Sequence, residues 1–470
     1  MTKLYRQPLS PKKRLRNWLA VSAGRLASLF LRSIGRGATA FPGKLAFTLA
    51  PTLLSDLTAG RQVFLVTGTN GKTTTVRLLC SILERQGHLV ITNPSGANLD
   101  SGLVTTLLQN LKILKEDGAQ KQKVSLVFEI DEAYFARLAA SMRPEICIVT
   151  NFFQDQLDRF GDLSHIRDLV AKGLHESGAK AVLCADDPLC AALIKDGSQP
   201  VYYFGMKPDG LPHRAKETAV ESVSCPVCGA SCRYEHISYA HLGIYSCPAC
   251  GYRRPEPDLA FSIVSTSERK TVIEFCYDKK SIRVHFPVPG IYNAYNAAAA
   301  LLAAIAAGLP LESSAKVLEQ SEAAFGRMER WSAEGKDICL ILVKNPVGMD
   351  QALEFIMNAP DLGSVMMMLN ASESDGRDVS WIWDVHFESC LPPGRIGLSG
   401  ARCHDLALRL YYAGKSKSEL LVSDDFIRLF DQMLAECPPG RCLYLLPNYT
   451  AMLSIRGYLS KCYHLPAFWQ

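Results

Sequence analysis

The run Val63-Phe-Leu-Val-Thr-Gly-Thr-Asn-Gly-Lys-Thr-Thr-Thr75 constrains this chain more than any other segment. An apolar strand runs into a two-glycine turn and then into a helix start. Gly68 and Gly71 let the backbone curl until its N–H groups face an anion. The helix N-terminus after Lys72 adds a positive dipole end. Lys72 is placed to reach the β- and γ-phosphates of a nucleotide, and the Thr73 hydroxyl to ligate Mg2+. The general phosphate-loop pattern would put its first glycine at Val66; the spacing here is shorter and starts at Gly68. Setting between strand and helix still favours nucleotide binding over a plain turn.

The surrounding pattern is α/β. Apolar strands are expected at Val63–Val66, Val124–Ile130, Ile146–Thr150 and Ala181–Ala185, separated by helices such as Thr73–Gln86 and Ser164–Glu176. Such alternation implies a parallel sheet covered on both faces. With 470 residues, 48% hydrophobic and 21% charged, the chain is an ordinary globular protein of several domains. Residues 1–60 read as a basic amphipathic segment, 61–330 as an ATP-binding domain and 331–470 as a second, Rossmann-like α/β domain. Residues 207–256, rich in Pro, Gly, Cys and Tyr, interrupt the first domain as an insertion.

Sixteen cysteines would suggest disulfides in a short secreted chain. Here four form the pairs Cys225-Pro-Val-Cys228 and Cys247-Pro-Ala-Cys250, and Cys80, Cys147 and Cys184 sit singly in apolar runs. The pattern fits a reducing compartment with one metal site. Each pair is followed by glycine, which turns the chain so that two thiolates face one ion. Four thiolates make a closed tetrahedral zinc site that folds the insertion and leaves no position for catalysis. Cys232 reads as a packed thiol. A nucleic-acid ribbon is the rival reading, but the flanks offer only Arg233, Arg253 and Arg254, and a net charge of +5 adds little.

The first 44 residues carry ten basic residues and no acidic one. The best candidate for a membrane span, Trp18–Leu31, is broken by Arg25 and falls short of the ~20 apolar residues required. No signal-peptide cleavage pattern follows it. Two readings stay open: a solvated amphipathic helix, or a patch resting on an anionic membrane face.

Thr67-Gly-Thr-Asn-Gly-Lys-Thr-Thr-Thr75 resembles the ATP-binding signature of the Mur ligase family. In matching order follow Phe128-Glu-Ile-Asp-Glu132, Thr150-Asn-Phe-Phe-Gln-Asp-Gln-Leu-Asp-Arg-Phe-Gly161, Ala185-Asp-Asp-Pro188, Gly290-Ile-Tyr-Asn-Ala-Tyr-Asn-Ala-Ala298 and Gly326-Arg-Met-Glu329. The resemblance implies ATP contacts from Gly68, Thr69, Asn70, Gly71, Lys72, Thr73, Thr74, Asn293, Asn296 and Arg327, with Mg2+ held by Thr73 and Glu129. Two family histidines are replaced, by Gln156 and Tyr292, which puts a second metal ion in question. Only about 62 residues precede the nucleotide-binding sheet, too few for the domain that holds UDP in family members acting on soluble precursors. A lipid-linked precursor is the expected alternative.

Lys344-Asn-Pro-Val-Gly-Met349, Asp375-Gly-Arg-Asp-Val-Ser-Trp-Ile-Trp-Asp384 and Pro447-Asn-Tyr-Thr450 narrow the resemblance to the MurT branch of the family. That branch implies ATP-dependent amidation of the D-Glu α-carboxyl in the lipid II stem peptide, giving D-isoglutamine. Ammonia would come from a GatD-type glutaminase partner. Asp378 would complete the partner's catalytic triad, fixing its imidazole as such a third group does. Catalysis is then expected to rest on Asp378, Lys72 and Glu129, in a cytoplasmic protein peripheral to the inner face of the plasma membrane. A stand-alone ligase of the folylpolyglutamate synthase type is the alternative. Arg402 is a further candidate contact to substrate or phosphate, and Asn345 and Asp350 are candidates for the inter-domain cleft.

Overall fold

The computed structural model describes residues 4–5, 7–33, 40–93, 97–116, 123–153, 163–194, 197–208, 224–267, 269–321 and 327–465. Two sheets organise them. The larger has nine strands in the order β11-β10-β9-β6-β5-β4-β1-β3-β2. Its parallel part comprises β1 (Gln62–Thr67), β2 (Leu89–Thr92), β3 (Val124–Glu129), β4 (Ile146–Val149), β5 (Lys180–Cys184), β6 (Val201–Met206) and β9 (Leu259–Thr266). The antiparallel strands β10 (Thr271–Tyr277) and β11 (Lys280–Phe286) complete one edge. Every residue of β1, β3 and β4 is buried, as central parallel strands covered on both faces must be.

Helices α4 (Lys72–Arg85), α5 (Asp100–Gln109), α6 (Leu111–Glu116), α7 (Glu132–Met142), α8 (Leu163–Ser177) and α9 (Pro188–Ala191) belong to this layer. Helix α10 (Ile291–Ala306) is buried on nearly every side; its alanines let it lie close against β6 and α4. Helix α11 (Leu311–Leu318) follows it.

The N-terminal helices pack onto this domain. Helices α1 (Pro11–Ser33), α2 (Phe41–Leu49) and α3 (Leu53–Thr58) contribute Ala20, Val21, Ala46, Leu53 and Leu57 to its core. Gly43 permits the approach of α2 to α5, because a Cβ there would lie 1.8 Å from the Ser101 carbonyl oxygen.

Strands β7 (Arg233–Tyr239) and β8 (Leu242–Ser246) form an antiparallel hairpin between the two cysteine knuckles. Arg254, just after the knuckles, ties the insertion to the larger sheet. Its Nε donates to Asp186 Oδ1 at 2.6 Å, and Tyr295 of α10 donates to the other oxygen of that carboxylate at 2.5 Å. Burial pushes the Asp186 carboxyl up, against the pull of Arg254.

The second sheet has the order β12-β13-β17-β14-β15-β16: β12 (Arg327–Ala333), β13 (Lys336–Ile341), β14 (Leu362–Met368), β15 (Ile396–Ser399), β16 (Leu420–Val422) and β17 (Cys442–Pro447). All are parallel but β12, which pairs antiparallel with β13. The segment around the expected 330/331 boundary therefore lies within β12, and the chain has passed to the second sheet by Arg327. Helices α12 (Pro346–Met357), α13 (Cys403–Tyr412), α14 (Phe426–Glu436) and α15 (Tyr449–Tyr463) cover its faces. Arg456 of α15 is buried and forks onto Glu329 of β12 at 2.7–3.0 Å, so the burial of one charge is offset by its partner.

Candidate active site between the two sheets

The phosphate loop leaves β1 and enters α4 with Gly68 and Gly71 at φ of 116° and 87°. Any side chain at Gly71 would be strained by that backbone and would also strike Asn296 Oδ1, 2.0 Å from the Cβ position. Asn296 on α10 thus stands directly over the loop, and Asn293, one turn before it, lines the same cavity. The Lys72 ammonium donates to the Gly68 carbonyl at 2.5 Å and to Glu132 Oε2 at 3.2 Å. Burial raises the Glu132 carboxyl above its ordinary range while Lys72 pulls it down. A triphosphate would compete with these partners for the ammonium.

Thr73 Oγ1 donates to Glu129 Oε2 at 2.8 Å. A hydroxyl and a carboxylate oxygen so placed are the hard donors Mg2+ takes, and they fit such an ion beside the loop. Asn93, which no motif marked, fixes Glu129 from behind. Its Oδ1 accepts from the Glu129 N–H at 2.9 Å and its amide donates to the Glu129 carbonyl at 3.0 Å. Thr150 and Asn151 buttress the loop's other side: Thr150 Oγ1 donates to the Asn70 carbonyl at 2.7 Å, and Asn151 Oδ1 accepts from the Asn70 N–H at 2.9 Å. Gln156 lies outside the described residues.

The second domain closes the site. Lys344 Nζ donates to the Thr69 carbonyl at 3.2 Å and Asn345 Nδ2 to Asn70 Oδ1 at 3.0 Å. The resulting cavity is bounded by Asn70, Gly71, Thr74, Asn293, Asn296 and Lys344. Tyr239, at the tip of the insertion hairpin, also lines it, packed edge-on against Tyr295. Sequence alone carried no signal for this reach. Tyr292 donates to Met328 Sδ at 3.0 Å and so links α10 to β12. Arg327 opens β12 opposite Ile341; its side chain lies outside the described set. Of the cleft candidates, Asn345 is in place, where it also caps α12 through the Gly348 N–H at 2.9 Å. Asp350, more than one turn further on, accepts instead from the backbone N–H and Nδ1 of His386 at 2.9 and 2.8 Å.

The four cysteines of the insertion converge. Their sulfurs all lie within 4.8 Å of one another, with Cys225 3.6 Å from Cys250 and Cys228 3.5 Å from Cys247. Sulfurs bound tetrahedrally at ~2.3 Å would stand about 3.8 Å apart, so the cluster fits a zinc ion. Gly229 and Gly251 adopt φ of 79° and 76° as the knuckles require. Backbone N–H groups, that of Cys250 foremost, lower the Cys247 thiol to about 6, while at Cys250 the Tyr252 backbone hydrogen bond is outweighed by the neighbouring sulfurs, which push that thiol up to about 12. Burial beside these sulfurs raises Cys232 to about 11 and keeps it a protonated neighbour.

Asp378 is exposed on the second domain. Its Oδ1 accepts from the Ser380 N–H at 2.8 Å, which holds the carboxyl below its usual range and keeps it ionised. Asp375, three residues earlier, is buried and structural: it accepts from the Thr450 N–H at 2.8 Å and the Ser372 hydroxyl at 2.7 Å. Exposed Trp383, Tyr411 and Tyr412 form an aromatic patch on the same domain, with Trp383 and Tyr412 ring centres 5.7 Å apart. Arg402 is paired with Asp405 at 2.7 and 2.8 Å.

Residues 66–246 match the model of the Mur ligase middle domain and 342–452 that of the MurT ligase C-terminal domain. The chain is 34% identical over 453 residues to the lipid II isoglutaminyl synthase (glutamine-hydrolyzing) subunit MurT of Streptococcus pneumoniae, covering 95% of this chain and 98% of the relative. It is 29% identical to the same subunit of Staphylococcus aureus, over 96% and 99%. Among solved structures, a pseudomurein peptide ligase type C from Methanothermus fervidus matches with TM-score 0.67 and 21% identity, over 89% of this chain and 84% of that one. MurF ligase from Thermotoga maritima in complex with ADP matches with TM-score 0.59 and 18% identity, over 86% and 81%; these two likenesses concern the fold.

Proposed function

This chain belongs to the MurT family, and from that premise we propose that it is the ATP-consuming subunit that amidates the D-Glu α-carboxyl of the lipid II stem peptide to D-isoglutamine. It is a ligase of the Mur type, acting in peptidoglycan synthesis. The observation that carries the reading is the Thr73–Glu129 pair beside Lys72, capped from the second domain by Lys344 and Asn345. Two domains meeting over a phosphate loop can hold ATP on one side and a carboxylate on the other.

A carboxylate oxygen of the substrate attacks the γ-phosphorus, the bond to ADP breaks, and an acyl phosphate forms. Ammonia then attacks the acyl carbon, loses a proton, and phosphate departs, leaving the amide. Lys72 and Lys344 offset the charge that builds on the phosphate oxygens. Mg2+, held by Thr73 and Glu129, would supply further neutralisation of that charge. Zinc in the four-cysteine cluster would be structural.

Ammonia comes, in this reading, from glutamine through a GatD-type glutaminase. Asp378 suits the role of third triad member because it is ionised and exposed, on a domain that also exposes an aromatic patch a partner could cover. The complex works in the cytoplasm at the inner face of the plasma membrane, where the lipid-linked substrate lies.

The test is co-expression with the glutaminase and mass spectrometry of the stem peptide after incubation with ATP and glutamine. Conversion of one carboxyl to an amide, dependent on both, is expected. An unchanged stem peptide with ATP, glutamine and both subunits present would overturn the reading.

A further inference from the structure

We infer that the outer face of α1 and α2 docks on an anionic lipid bilayer. The inference rests on the proposed function for its lipid-linked substrate, but its structural grounds are separate. Helix α1 packs on the first domain through Asn17, Ala20, Val21, Gly24 and Ser28, all buried. At roughly 100° per residue these positions cluster on one side of the helix. Leu15, Trp18, Leu19, Leu26 and Leu29 fall on the opposite side, within an arc of about 100°. They are 60, 45, 50, 68 and 62% exposed. Along α2, Phe41, Leu45 and Leu49 recur every fourth residue and are 60, 36 and 43% exposed. A surface helix normally turns its apolar stripe inward; α1 packs inward on small and polar residues and turns its leucines out, and a patch of this extent marks an interaction site.

Charge selects the occupant. Exposed Lys12 and Arg16 fall on one flank of the α1 stripe and exposed Arg14 and Arg25 on the other. No acidic residue precedes Asp56, and Asp56 is buried against Lys13 and Asn17 at 2.6 and 2.9 Å. A second copy of the chain would bring like charges face to face. An anionic bilayer receives both features: headgroup phosphates meet the flanking cations, and the acyl boundary receives the leucines. At ~1.5 Å per residue, the 23 residues of α1 extend about 34 Å along such a surface. No described helix is long and apolar enough to cross a membrane, so the helix lies in the interface. Docking there would hold the active site over the leaflet that presents the substrate.

The full chain, with its glutaminase, should float with vesicles of equal parts phosphatidylglycerol and phosphatidylcholine. It should not float with phosphatidylcholine alone, and added salt should release it. Combined Leu15→Ser, Leu19→Ser, Leu26→Ser and Leu29→Ser should weaken vesicle binding by about tenfold or more while ATP binding and Tm stay at their wild-type values. Arg14→Glu with Arg25→Glu should weaken it without touching the leucines. The variants should lose amidation of vesicle-embedded substrate but keep amidation of a stem peptide lacking the polyprenyl chain. Wild-type protein that ignores anionic vesicles, or a quadruple variant that binds them as well as wild type, overturns the inference. Loss of a homodimer in the quadruple variant without any vesicle binding would do the same, in favour of self-association. Amidation of the chain-free peptide reports on the proposed function independently of either result.

Discussion

Asn345 Nδ2 donates to Asn70 Oδ1 at 3.0 Å, and that bond joins the first turn of a second-domain helix to the phosphate loop of the first. One residue away, Lys344 reaches the Thr69 carbonyl at 3.2 Å. Both anchors of the closed cleft are thus groups that can also touch phosphate or ribose. Under the proposed function, closure and nucleotide binding would be linked through the same side chains.

Asn345→Ala should raise KM for ATP by about tenfold, with a smaller fall in kcat, because a lost hydrogen bond near charge is worth ~1–2 kcal/mol. Steady-state kinetics with ATP varied gives the answer. Unchanged kinetics would show that the contact with Asn70 does not contribute to turnover.

Glu129→Gln keeps the volume and removes the negative charge. Turnover should fall by about 100-fold or more, and raised Mg2+ should recover part of it. Titration of activity against Mg2+ checks this. A wild-type Mg2+ dependence would move the ion elsewhere.

Asp378→Asn should cut glutamine-dependent amidation by about 1000-fold or more while sparing amidation driven by added ammonium. Equal loss in both assays would remove Asp378 from the partner's triad and place it in this chain's own folding or chemistry.

Cys225→Ser should lower bound zinc, measured by elemental analysis, and destabilise the insertion. Because Tyr239 of the same insertion lines the cavity over the phosphate loop, the proposed function predicts that ATP affinity should fall as well. Tyr239→Ala should reproduce the weaker ATP binding with zinc retained, and Tyr239→Phe should restore most of it. Normal ATP binding in Tyr239→Ala would uncouple the insertion from the site.

Asp361 is partly buried, which opposes its charge, yet hydrogen bonds from Arg330 at 2.5 Å and Tyr444 at 2.7 Å hold its carboxyl below the usual range. Its folded value is the lower one, so it contributes stability above the ordinary aspartate value. That contribution is lost as pH falls from about 4 through the folded value. Asp361→Asn should lower Tm near neutrality and flatten the decline below about pH 4. Thermal melts across that range decide it; a parallel decline in both proteins would assign the acid transition to other carboxylates.

Much of the architecture was legible in the chain itself. The strands β1, β3, β4 and β5 are apolar runs that only a doubly covered parallel sheet can bury, and the loop from Gly68 to Thr73 has one economical conformation between strand and helix. The cysteine pairs with their following glycines likewise specify a local turn whatever surrounds them. These are short-range properties: backbone sterics, periodicity and the chemistry of adjacent groups decide them. Less local features escaped. The edge strands β2 and β16 offer only three consecutive apolar residues each, Leu89–Ile91 and Leu420–Val422, too few to stand out in the sequence. Asn93 behind Glu129, Tyr239 in the cavity over the loop and Asn70 against Asn345 are each brought together across neighbouring strands, an insertion or two sheets, and no spacing along the chain encodes such contacts. Amphipathicity of α1 could be read from its sequence, but not which face would pack on the core. Packing decided that, because Gly24, Ala20 and Val21 allow close approach on one side and leave the leucines of the other facing out.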